Sequence, residues 1–90
     1  MKSNTLEAPG VIGIPTRIYV SVSDVMVIMG CKKSKASAQI REANHRAEES
    51  GKLPFSQGKA NKYIFAEMFG VPIDEVNRVL DFNDRKGLVN

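Results

Sequence analysis

YVSVSDVMVIMGCKKSKASAQIREANHRAEESGKLPF, residues 19–55, decides how this chain folds. Ser21 followed by Asp24 is a variant of the capping box, in which the hydroxyl accepts an orphan amide hydrogen and the acid favours the positive end of a helix. A first helix therefore starts near Val22. Val22, Val25, Met26 and Met29 recur at the spacing that puts side chains on one buried face; Ile28 widens that face and Val27 points away from it. Gly30 supplies the positive φ that ends a helix without a Cβ penalty. Beyond the tight Gly30-Cys31 turn, a second helix runs from about Lys33 to Ser50 and ends at Gly51. Its Ala36, Ile40, Ala43 and Ala47 form a narrow stripe of mostly small residues, which lets two helices approach closely. Ser34, Ala38, Arg41 and His45 fall on the opposite side, with Lys33 and Ser37 on one flank and Lys35 on the other.

Outward from this stretch the signals are shorter. Residues 1–16 hold Pro9, Gly10, Gly13 and Pro15 among polar residues without periodicity and read as a flexible arm. Arg17 to Val20 favours a short strand, of the kind that commonly pairs with a later hairpin. After Gly51, KLPFSQGKANKY reads as a short β-hairpin turning at Ser56-Gln57-Gly58. Asn61 opens a third helix that buries Ile64, Phe65 and Met68 and stops at Gly70. Pro72 with Asp74 and Glu75 opens a fourth, carrying Ile73, Val76, Val79 and Leu80, and the polar tail frays from about Asn83. No internal repeat or low-complexity segment is visible. The expectation is a mainly α domain with a small β-hairpin and three to four helices over residues 17–82, preceded by the arm and followed by a tail, 83–90.

Ninety residues make one small domain, with too little material for a deep enzyme cleft. Positive charge is unevenly placed. Between Lys32 and Lys62 there are eight bases and three acids, a net +5, which leaves −2 on the rest of a chain whose total is +3. That segment is where counterion release from phosphate would supply affinity for a nucleic acid. A single cysteine forms no intramolecular disulfide, and neither a signal-peptide core nor a membrane-spanning run is present, so a cytoplasmic protein without membrane contact is expected.

Helix, turn, long helix and basic hairpin, in this order, resemble the winged helix-turn-helix DNA-binding domains of the excisionase and MerR-like group. The likeness is greatest to the small regulators carried by phages and integrative elements. It is carried by Tyr19, Ser21, Val25 with Met26, Ile28 with Met29, Gly30-Cys31, Lys33 to Ala36, Ile40-Arg41, Gly58-Lys59 and Lys62-Tyr63. Two departures from the pattern carry the most weight: Met26 stands where the group often has Ala, and Lys32 where Ser or Thr caps the second helix. Lysine cannot accept the orphan amides, which leaves them to Ser34, water or a DNA phosphate. Within the resemblance, Lys33, Ser34, Ser37, Ala38 and Arg41 face base edges, because a recognition helix reads the major groove with its N-terminal residues. Arg41 is suited to donate bidentately to guanine. Lys32, Lys35, Lys52, Lys59 and Lys62 are expected on phosphates, positioning the domain without reading sequence.

Cys31 follows the turn where the group has Val and reads as a small buried apolar residue; His45 reads as solvated. With one His and one Cys the chain offers no zinc-ligand spacing, and it has no Gly-rich phosphate loop or nucleophile elbow, so no cofactor, no metal and no enzymatic activity are expected. The implied function is sequence-specific binding of double-stranded DNA, as a regulator or an excisionase-like architectural factor of a phage or mobile element. An integrase or a second copy is the expected protein partner, with Val76, Val79 and Leu80 of the fourth helix as the candidate contact, against the competing expectation that they pack onto the core. The same scaffold also serves protein-interaction adaptors and small DNA-packaging subunits, which are the competing expectations.

Overall fold

Every short helix in this molecule begins at a side-chain cap and ends at a left-handed glycine. A computed structural model describes residues 16–89, with side chains to Lys86. The elements are β1 (Tyr19–Ser21), α1 (Val22–Met29), α2 (Lys33–Glu49), β2 (Lys59–Asn61), α3 (Lys62–Phe69) and α4 (Ile73–Val89). Ser21 and Asp24 complete both arms of the capping box on α1, and Gly30 closes that helix at φ 64° by donating to the Met26 carbonyl. Asn61 Oδ1 accepts from Tyr63 and Ile64 at 2.8 and 3.0 Å to start α3, and Gly70 closes it at φ 67°. The fold is the expected mainly α class with a small antiparallel β element and four helices. All but residue 16 of the expected arm lies outside the described residues.

The entry strand pairs with the later segment as expected, but that segment is not itself a two-stranded hairpin. Within residues 52–61 only β2 is a strand, and its partner is β1, with Val20 opposite Ala60 between the pairs Tyr19–Asn61 and Ser21–Lys59. Pro54 has no amide to donate to a ladder, and Asn44 takes both the Phe55 amide and the Lys59 carbonyl, so residues 52–58 form a loop.

The two halves repeat. Tyr19 and Lys59, Val22 and Lys62, Lys33 and Ile73 open corresponding elements, each pair 40 residues apart, and the helices match in length at 8 and 17 residues. Burial matches as well: Val20, Val25, Ala36 and Ile40 are buried at the positions of Ala60, Phe65, Val76 and Leu80. The strand register centres a local two-fold axis on the Val20–Ala60 pair. Across these elements only Gly30 and Gly70 are the same residue, which is why no repeat is visible in the sequence.

The core is shared between the halves, with α1 packed on α4 and α2 on α3. The stripe Ala36, Ile40, Ala43 and Ala47 is almost wholly buried. Small side chains there let α2 lie close to its neighbours. Val76, Val79 and Leu80 are also buried, at 0, 5 and 0% exposure, so of the two expectations for them the structure gives packing onto this chain's own core, not a free partner contact. The helix they belong to runs on through Val89, past the point where fraying was expected. Asn83 and Asp84 explain the extension. Asn83 donates to Asp24 at 2.6 Å, and Arg17 bridges Asp24 to Asp84, which it reaches at 2.8 Å. Burial pushes the Asp24 carboxyl up, but hydrogen bonds from Arg17, the Ser21 amide, Asn83 and the Ser21 hydroxyl outweigh it and hold Asp24 below the usual aspartate range.

Candidate nucleic-acid interface

With its alanine stripe turned inward, α2 must present the opposite side to solvent. Lys32, Lys33, Ser34, Lys35 and Arg41 are exposed, and Ser37 and Ala38 are half-buried at the edges of the same face. Lys32 sits at the N-cap with extended backbone and makes no side-chain cap hydrogen bond. The first-turn amides of α2 therefore point outward among four cationic or hydroxyl side chains, without an acid in that turn. Arg41 stands on a ridge between two depressions. One, of about 240 Å³, is shared by Ser37, Arg41 and Asn44 with Gln57 and Gly58 of the loop. The other, of about 510 Å³, lies toward α3 and includes Glu42, His45, Glu49 and Met68. Acidic residues thus border the C-terminal half of α2, and only its N-terminal half offers an uninterrupted cationic surface.

The loop is fastened to this helix. Asn44 donates to the Lys59 carbonyl at 2.8 Å and accepts from the Phe55 amide at 3.2 Å, while the Lys52 amide reaches the Ala47 carbonyl at 2.9 Å. Lys52 is exposed at the root of the loop. Lys59 is half-buried, its ammonium 4.8 Å from the centroid of the Tyr19 ring, which lies 5.9 Å from that of Phe55. Sequence reasoning missed Asn44, because an asparagine within a helix carries no local signal that it clamps a loop fifteen residues away.

Lys62 does not belong with the other candidates. It is 4% exposed, and its ammonium donates to Asn77 Oδ1 at 2.8 Å and lies 5.3 Å from the Tyr63 ring centroid. A phosphate cannot reach a donor enclosed between α3 and α4, so the expected phosphate contact is withdrawn. His45 is exposed beside Glu49 at 3.4 Å, and Cys31 is half-buried against the core.

Charge pairing sets the candidate interface apart from the described bases outside it, Lys86 excepted. Arg17, Arg78 and Arg85 are each matched by a carboxylate. Among the described residues, no lysine or arginine from Lys32 to Lys62 has an ion-pair partner. Among the described residues, no group of three His, Cys, Asp or Glu residues gathers to hold a metal, and no helix is long and apolar enough to cross a membrane. Comparison with known proteins gives no match to a family model, a curated protein or a solved structure.

Proposed function

We propose that this chain binds double-stranded DNA sequence-specifically, with the N-terminal half of α2 in the major groove and the α2–β2 loop against the neighbouring backbone. It acts as a transcriptional regulator or an excisionase-like architectural factor of a phage or mobile element, in the manner of the winged helix-turn-helix group it resembles, and performs no chemistry. Its place on this reading is the cytoplasm, and its partners are DNA with an integrase or a second copy. The observation that carries the reading is the unpaired cationic face of α2 around Arg41. The internal repeat supplies a control: at the positions of Lys33, Lys35 and Arg41, the matching helix α4 has Ile73, Glu75 and Asp81. α4 does carry Arg78 and Arg85, but each is paired with an acid of its own helix, so of two equivalent helices α2 alone offers unpaired cations in its N-terminal half.

Selection of bound duplexes from a random pool tests this. The wild-type protein is expected to enrich one motif, and Arg41→Ala to lose discrimination at one position of it, about 1–3 kcal/mol. A wild-type selection that enriches no motif would refute sequence-specific recognition.

A further inference from the structure

We propose that Leu53, carried with Pro54 at the tip of the α2–β2 loop, enters the minor groove beside the α2 site and wedges between two base pairs, kinking the DNA. The inference rests on the DNA-binding reading above and adds to it the element that deforms the duplex. Leu53 is 93% exposed, against 52–62% for Ile18, Val27, Tyr63 and Phe82. A single exposed leucine is ordinary by itself. This one differs in how it is held. The Lys52 amide is bonded to the end of α2 and the Phe55 amide to Asn44, so the two residues between those anchors, Leu53 and Pro54, project with both roots fixed. Proline restricts its own φ and confines the residue before it to extended backbone, so the tip is set before any partner arrives.

The surroundings select the partner. Lys52 precedes the tip and Lys59 ends the returning limb, both without ion-pair partners among the described residues, which favours a polyanion over an apolar protein groove. The returning limb of the loop, Gln57 and Gly58, shares a cleft with Ser37 and Arg41. Phosphates engaged by Arg41's helix therefore continue past the loop. Leucine and proline are among the side chains that part base steps from the minor groove, with kinks of roughly 20–90°. Here the lysines hold the backbone on either side while the leucine replaces the lost stacking with apolar contact.

The test uses the duplex selected by the wild-type protein, with dyes at its two ends to report bending by energy transfer and 2-aminopurine at successive steps beside the α2 site to report unstacking. Wild type is expected to bend the duplex by roughly 20° or more and to raise the 2-aminopurine signal at one step. Leu53→Ala is expected to lose both signals, with affinity changing by less than about tenfold because the unstacking cost disappears together with the contact. Leu53→Met, which keeps a long apolar side chain, is expected to retain them. Thermal unfolding of both variants should match wild type, since the side chain has no core contact. Straight bound DNA, or equal bending by Leu53→Ala, would overturn the wedge and leave DNA recognition standing. Failure of the wild type to bind any duplex would remove both.

Discussion

Lys59 keeps its ammonium at the edge of the sheet, 4.8 Å from the Tyr19 ring centroid, whereas Lys62 gives its ammonium to Asn77 in the interior. The two lysines should therefore fail in different assays. Lys59→Ala is expected to weaken binding to all duplexes alike and to reduce the slope of log affinity against log salt by about one. Lys62→Ala should leave that slope unchanged and cost about 1–3 kcal/mol of stability, by leaving the Asn77 carbonyl oxygen without its donor. Titration over a salt series and urea unfolding of each variant separate these outcomes. The difference was not legible in the sequence, because both lysines lie in one basic run and the partner of Lys62 comes from the next helix. Charge is read from a sequence directly; burial of a charge depends on contacts that have no local signature.

Among the elements, α1 and α3 start at side-chain caps and α2 does not. Lys32→Ser would supply the missing acceptor. It is expected to stabilise the protein by about 1 kcal/mol, a rise in Tm of roughly 4–8 °C for a domain this small, while weakening DNA binding through the lost cation. A calorimetric scan and a binding isotherm on the same preparation check the opposed effects; a gain in both would show that Lys32 has no part in the interface. The absent cap was readable from Lys32 itself. So were Ser21, Asn61, Gly30, Gly70 and the alanine stripe, because caps, glycine stops and helical periodicity act within one or two turns. The pairing of the entry strand with the later segment was also foreseen, but the loss of the expected hairpin's first strand was not, since the strand through Pro54 and Phe55 is cancelled by a hydrogen-bonding residue on another element, Asn44.

At the scale of the whole molecule, Asp24 joins the strand entry, α1 and α4 through Arg17 and Asn83. Its folded carboxyl is held below the unfolded value, so the unfolded chain binds the proton more readily. The stabilisation is complete above the unfolded value of about 3.9 and is lost as pH falls through the lower folded value. Asp24→Asn is expected to cost about 2–4 kcal/mol near neutral pH, somewhat less than breaking a fully buried pair because Arg17 is partly solvated. It should also flatten the fall in stability below about pH 4. Urea unfolding across that range measures both, and an unchanged acid slope in the variant would show that Asp24 does not supply it. The sequence showed Asp24 only as a helix-start acid; its burial follows from α4 running on past residue 82. The two-fold repeat was equally hidden, because the halves share a frame and burial pattern while sharing almost no residue identities.

That repeat also separates what the molecule can change from what it must keep. No fully buried residue lies between Ala47 and Ala60, because the linker joins the two halves outside the core they share. Extra residues placed between the anchors at Lys52 and Phe55 would add only the slowly growing entropy of a longer loop, about 0.6 kcal/mol for each doubling. Reach and thermodynamic stability are thereby written in different parts of the chain. A descendant of this protein can acquire a longer or differently tipped probe while inheriting its core intact.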